Sequence, residues 1–169
     1  RHVVDPVTRQ PLFKERVVLP IPVKPDPKRH FLTTAAQLHQ LPVIDVPEIA
    51  FVGRSNAGKS SCINTLTQQK QLAFASKKPG RTQHINLFSL GRQGITDAVL
   101  ADLPGYGYAA VPMQDKLRWQ RVMANYLRTR PNLRAVVMMT DPRLGLTELD
   151  EVLLEVVRPR VDRKSTRLN

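Results

Sequence analysis

The chain has 169 residues, 41% of them hydrophobic, which is enough for one domain with its own core. Its 26 basic and 14 acidic residues leave a formal charge of +12, pointing to a polyanionic partner, nucleic acid ahead of an anionic membrane. A single cysteine, Cys62, rules out an internal disulfide and fits a reducing cytosol, and no apolar run approaches the roughly 20 residues of a membrane span.

Residues 1–30 carry six prolines and the basic pair Lys28-Arg29. Proline at that density blocks helices and central strands, so the segment reads as an extended, mobile arm. Residues 31–41 begin as a short strand and pass into a short helix ending before Pro42. The apolar run 49–52 is a strand. A helix follows from Gly58 to about Gln69, with Cys62, Ile63 and Leu66 at core spacing. Residues 76–83, SKKPGRTQ, form a basic loop punctuated by Pro79-Gly80. Residues 85–90 and 98–103 read as two antiparallel strands joined by the turn 91–94. Residues 114–130 are a helix with Leu117, Met123, Tyr126 and Leu127 on or near one face, stopped by Pro131. A continuous apolar strand, 135–140, precedes a last helix at 149–157. Residues 162–169 are a polar, basic tail. Five basic residues stand between Arg158 and Arg167 against Asp162 alone, so a third of the excess charge is terminal.

The order β-α-loop-β-β-α-β-α describes an α/β sheet with a ligand site at the C-terminal end of its first long strand. There Gly53 and Gly58-Lys59-Ser60 match G-x-x-x-x-G-K-[ST], the P-loop. A phosphate chain must lie against backbone N–H groups, so glycines are needed where a Cβ blocks approach or φ turns positive. The following helix aims its N-terminal N–H groups at the same anion. Lys59 adds a charge for the β- and γ-phosphates, and Ser60 offers a hydroxyl to Mg²⁺. Asp102 opens D-x-x-G (Asp102, Leu103, Pro104, Gly105) at a strand end, placed to hold the metal while the Gly105 N–H senses the γ-phosphate. Thr82, after Gly80 and Arg81, lies where a loop threonine would complete the Mg²⁺ shell in the triphosphate state.

Three segments, GRSNAGKSSCIN, KKPGRTQHINLF and DLPGYGYA, resemble the EngB (YihA/YsxC) family of bacterial ribosome-biogenesis GTPases. The resemblance covers roughly residues 31–161. It implies a P-loop NTPase (Ras-like GTPase) fold of three layers on a mostly parallel sheet. It also implies slow GTP hydrolysis by a cytoplasmic, monomeric switch in assembly of the large ribosomal subunit, with rRNA contact and a role in cell growth and division. Nucleotide contacts would come from Gly53, Arg54, Ser55, Asn56, Ala57, Gly58, Lys59, Ser60 and Ser61, from Pro79, Gly80, Arg81 and Thr82, and from Asp102, Leu103, Pro104 and Gly105. Mg²⁺ would sit on Ser60, Thr82 and Asp102, and catalysis would rest on Lys59, Thr82 and Gly105.

Asn56 resembles the asparagine that brings K⁺ to some related GTPases; as plain turn chemistry it suits unusual φ/ψ. Tyr106 occupies the place of the usual water-orienting glutamine, and a phenol replaces an amide poorly there, so hydrolysis should be slow without help. The family pattern also calls for a later T-K-x-D segment whose Asp reads guanine. Asp141, in D-P-R, does not fill that role, and the resemblance ends near Val161. The expectation is a C-terminally shortened domain with 135–140 exposed as an edge strand and GTP and ATP bound about equally. Two other readings remain: an RNA-binding module that holds nucleotide without turnover, and an ATP-using P-loop enzyme.

Overall fold

The computed structural model describes residues 31–73, 84–91, 95–107, 112–141 and 143–165, with backbone only from 160 onward. The expected arm (1–30), basic loop and hairpin turn (74–83, 92–94) and the last four residues of the tail lie outside these ranges. Five strands form one sheet: β1 (Phe31–Ala35), β2 (Glu48–Gly53), β3 (Ile85–Leu90), β4 (Ala98–Asp102) and β5 (Leu133–Met139). Their order is β1-β3-β4-β2-β5. β1 and β4 both pair antiparallel with β3, while β2 pairs parallel with β4 and β5. Only β3 runs against the rest, so the expected mostly parallel sheet holds for strand direction, although just two of its four ladders are parallel.

Every residue of β2 is buried, and its alternation explains the three layers. Ile49 and Phe51 pack with Ile63 of α1 (Lys59–Thr67) and with Ala73, Phe88 and Leu100 on one face. Ala50 and Val52 face the other way, into a core with Met123, Tyr126 and Leu127 of α2 (Met113–Thr129) and Leu153 of α3 (Glu148–Ser165). Full burial of each such Val, Leu, Ile or Phe is worth about 1.5–3 kcal/mol.

α1 starts at Gly58, whose φ of 90° lies in the left-handed region, and stops at Gln68, another left-handed residue, within two residues of the expected end. Beyond it, the Asn64 side chain clamps both backbone groups of Ala73, at 2.8 and 2.7 Å. α2 buries Trp119, Met123, Tyr126 and Leu127, a stripe at i, i+4, i+7, i+8. Leu117 and Leu66, both expected near the core, are exposed at 46% and 39%. Leu66 sits beside the inner face of α1, where Thr67 takes the inner position and bonds back to Ile63, whereas Leu117, two residues before Trp119, lies about 200° round α2 from it.

α3 runs eight residues past the expected 157, through Pro159 to Ser165, so half of the expected tail is helical. β5 is the sheet edge among the described residues, as the shortened pattern predicts. Its residues 135–139 are only partly buried although all five are apolar.

Candidate functional site

The C-terminal ends of β2 and β4 lie side by side, Phe51 opposite Asp102 in parallel register. This register brings the P-loop and D-x-x-G together although about fifty residues separate them. Leu103 N–H donates to the Phe51 carbonyl at 3.1 Å. Ser55 N–H donates to the Tyr106 carbonyl at 2.8 Å, and Tyr106 N–H to the Gly53 carbonyl at 3.4 Å. Gly105 is the closest approach. A Cβ there would stand 2.9 Å from Ser55 Cα and 3.0 Å from Lys59 Nζ, so no other residue fits without movement.

Residues 53–61 form the loop and the first turn of α1. Asn56 has φ 65°, the left-handed conformation that asparagine tolerates, which satisfies its turn-chemistry reading. Ala57 N–H closes the loop on the Arg54 carbonyl at 3.1 Å. The Lys59 ammonium folds back and donates to the Gly53 and Arg54 carbonyls at 3.1 and 3.3 Å. It is 92% buried, and that burial lowers its pKa, with the charge of Asp102 working the other way.

Ser60 Oγ donates to Asp102 Oδ2 at 3.0 Å, and the other oxygen, Oδ1, is buried without a hydrogen-bond partner among the described residues. Burial pushes the Asp102 carboxyl above its usual range, against the pull of Lys59 and the Ser60 hydroxyl. A buried carboxylate oxygen with nothing to accept from is costly unless a ligand completes it. The pair fits Mg²⁺, an oxygen-seeking ion that takes one or two protein oxygens and draws the rest of its shell from phosphate and water. No group of three or more His, Cys, Asp or Glu forms a protein-only metal cage among the described residues.

The expected site residues of the first and third motifs therefore meet in one place: Gly53 through Ser61 on one side, Asp102 through Gly105 on the other. Pro79, Gly80, Arg81 and Thr82 lie outside the described residues. Asp141 follows β5 and forms an exposed fork with Arg143 at 2.7 and 3.0 Å, which with a smaller contribution from the Arg54 charge draws its carboxyl down to about 2.

Tyr106 has a role that its place in the motif does not show. Its ring is buried in the core shared with α2 and α3, and its hydroxyl donates to Asp150 Oδ1 at 2.5 Å. Burial, then the hydrogen bond and charge of Asp150, raise its pKa. The hydroxyl thus points toward α3 and takes no part in the loop. The sequence signal for this partner was the T-x-x-D pattern at the start of α3, Thr147 to Asp150, which is a capping arrangement.

A family model described as "50S ribosome-binding GTPase" matches residues 48–167. Proteins called "Probable GTP-binding protein EngB" from Albidiferax ferrireducens and Acidovorax ebreus are 83% and 80% identical over 132 residues, which is 78% of this chain and 64% and 61% of theirs. One of the same name from Burkholderia thailandensis is 55% identical over 129 residues, 76% of this chain and 59% of its own. The chain thus spans about three fifths of the length of the curated relatives it matches. A solved structure titled "Crystal structure of a probable GTP-binding protein engB" aligns with a TM-score of 0.49 at 23% identity, covering 66% of this chain and 64% of that one. No described helix is long and apolar enough to cross a membrane.

Proposed function

Because the chain belongs to the 50S ribosome-binding GTPase family, we propose that it is a GTP-binding switch with slow GTP hydrolysis, acting in the cytoplasm during large-subunit assembly and so in growth and division. The observation that carries the nucleotide part is the pairing of Ser60 with Asp102, one carboxylate oxygen left over, beside a buried lysine at the start of a helix.

In the mechanism we propose, the triphosphate enters the loop and takes Lys59 from the Gly53 and Arg54 carbonyls. The ammonium then spans the β- and γ-phosphates while the N–H groups of residues 55–61 receive the phosphate oxygens. Ser60 and Asp102, with Thr82 from the basic loop, would hold Mg²⁺, which would supply positive charge to offset that of the phosphates. Gly105 reaches the γ-phosphate because its missing side chain lets it stand against Ser55 and Lys59. Water attacks the γ-phosphorus in line, and Lys59 with the loop N–H groups stabilises the charge that develops. The Tyr106 hydroxyl, bound to Asp150, orients no water, in keeping with slow turnover. Asn56 is the candidate K⁺ ligand: K⁺ in place of Na⁺ should raise hydrolysis, and Asn56→Ala should remove the difference.

The ribosomal reading gains support from α2. Arg118, Arg121 and Arg128 lie along one exposed face, and among the described residues the one ion pair there is the 3.5 Å contact of Arg118 with Asp115. Such a row suits RNA phosphates. Charge-removing changes at Arg121 and Arg128 should weaken rRNA binding and flatten its salt dependence. Salt-steep rRNA binding that ignores nucleotide state would favour the RNA-binding module instead.

The test of the nucleotide reading is equilibrium binding of fluorescent GDP in Mg²⁺, competed with GTP and with ATP. The 169-residue chain should bind, with little preference between the two competitors because no T-K-x-D segment is present. No binding at all would overturn the P-loop reading, and strong preference for GTP would show that guanine is read by other residues.

A further inference from the structure

The residue after D-x-x-G is joined at three points to two different parts of the molecule. Its backbone is held by the P-loop through Ser55 and Gly53, and it forms an isolated parallel bridge with Arg54. Its side-chain hydroxyl is held by Asp150. Asp150 is fully buried, and its second oxygen accepts from both the Thr147 N–H and the Thr147 hydroxyl at 2.8 Å. Those bonds are the cap that starts α3, and Glu151 N–H closes its first turn on the Thr147 carbonyl at 3.0 Å. A short line of hydrogen bonds therefore runs from the loop through Tyr106 and Asp150 to the helix cap.

Two features give that line room to work. Gly105, the neighbour of Tyr106, is wedged against Ser55 and Lys59 and cannot ignore what binds there. On the other side, a cavity of about 150 Å³ borders Gly105, Tyr106, Trp119, Met123 and Leu149. Packed interiors resist motion, whereas a gap of this size lets the segment 104–107 shift without displacing α2. The Trp119 indole N–H on its wall is buried with no hydrogen-bond partner among the described residues.

We propose that Tyr106 and Asp150 form a latch that passes the occupancy of the phosphate site to the start of α3. The proposal rests on the nucleotide-binding reading above. Both are positioning residues: neither touches nucleotide. A γ-phosphate that draws Gly105 toward the loop pulls the Tyr106 hydroxyl from Asp150, and the α3 cap loses one of the bonds that fix its carboxylate. The diphosphate leaves the latch closed.

Amide hydrogen exchange on the full 169-residue chain tests this, with GDP or GTPγS in Mg²⁺ and without nucleotide. Tyr106→Phe keeps the ring and removes only the hydroxyl. In the wild type, amides of residues 147–153 should exchange roughly tenfold faster with GTPγS than with GDP, the factor carried by a hydrogen bond to a charged group. In Tyr106→Phe that difference should fall below about twofold, while either nucleotide still protects residues 55–61. Asp150→Asn, which alters the other partner, should lose the same difference and keeps the test standing if the first variant fails to fold. Emission from Trp119, the only tryptophan in the chain, should respond to GTPγS in the wild type and not in either variant. The latch is overturned if residues 55–61 are protected while 147–153 respond equally in wild type and variants, or not at all; nucleotide binding then stands alone. If residues 55–61 gain no protection in the wild type, the nucleotide reading fails and the latch falls with it.

Discussion

The two ends of the β2–β4 pair each bury a carboxylate facing a cation, and each completes it differently. At the N-terminal end, Glu48 is wholly buried and receives a two-pronged contact from Arg130 at 2.9–3.2 Å, the Tyr126 hydroxyl, and a weaker contact from Asn132 at 3.4 Å. Arg130 also reaches the Pro42 carbonyl at 3.0 Å, and Asn132 the Val46 carbonyl at 3.0 Å. Both carboxylate oxygens therefore have protein donors. At the C-terminal end, Asp102 has among the described residues one donor, Ser60, and one oxygen with none, while Lys59 turns to carbonyls instead of the carboxylate. The first end ties β2, α2 and the 42–46 segment together, and its carboxylate is complete, although the neighbouring Asn132 Oδ1 is buried with no hydrogen-bond partner among the described residues. The second is complete only with a ligand. Burial of charge looks alike at both ends; the accounting of each oxygen separates a structural pair from a binding site.

The largest expected effect breaks the first end. Arg130→Met leaves Glu48 buried without its cation and should lower unfolding free energy by about 3–5 kcal/mol, measured by urea denaturation. Nucleotide affinity of the folded fraction should not change. The next effect comes from the second end. Lys59→Met should cost nucleotide affinity on the order of a hundredfold, since charged hydrogen bonds contribute about 1.5–3 kcal/mol each. Stability without nucleotide should hold or rise, because the variant removes a desolvated ammonium rather than a needed partner. If Lys59→Met unfolds the chain and Arg130→Met does not, the contrast between the ends is reversed.

A smaller, pH-dependent effect sharpens the contrast. Burial raises the folded-state pKa of Asp102 above its unfolded value, with Lys59 and Ser60 in opposition. Between those two values the folded state holds a proton that the unfolded state has released, so this group's contribution to stability falls as pH rises through the folded pKa. Asp150 has the opposite sign. Burial alone would raise it, but hydrogen bonds from Tyr106 and Thr147 outweigh that and leave it below its usual value. Its contribution is present above the unfolded pKa and is lost as pH falls through the folded one. Thermal unfolding between pH 3 and 7 should show Asp102→Asn gaining stability over wild type most at the high end. Asp150→Asn should lose stability relative to wild type at the high end, and that deficit should shrink on acidification.

Much of this was legible in the sequence. The P-loop, D-x-x-G and the hairpin placed the site because glycine spacing and strand-end position are local signals. The apolar run 49–52 announced β2, but burial on both faces is the expectation for 135–140, and it is β2 that meets it while β5 is only partly buried. What could not be read were contacts made across the fold. Glu48 looks like a lone charge before an apolar run, and Arg130 like a helix-ending basic residue; nothing local joins residues 82 positions apart. Leu66, three residues after Ile63, reads as core because it borders the inner face of α1, and Leu117 reads as core only when the stripe is not anchored on Trp119, from which it lies about 200° round α2. Trp119 went unnoticed as a core residue amid charged neighbours, although it begins the buried stripe of α2. Tyr106 was judged by its place in a motif, whereas its hydroxyl is committed by a cap that begins forty-one residues later, at Thr147.

The central claim is that the Asp102 end is unfinished for a ligand's sake, and thermal unfolding with GDP at a fixed excess, with and without Mg²⁺, tests it most directly in wild type and Asp102→Asn. The wild-type melting temperature should rise with GDP and rise again when Mg²⁺ is added. Asp102→Asn should keep the first rise and lose most of the second. An equal Mg²⁺ increment in both proteins, or none in the wild type, would contradict the claim and leave the unpaired Asp102 oxygen without a functional explanation.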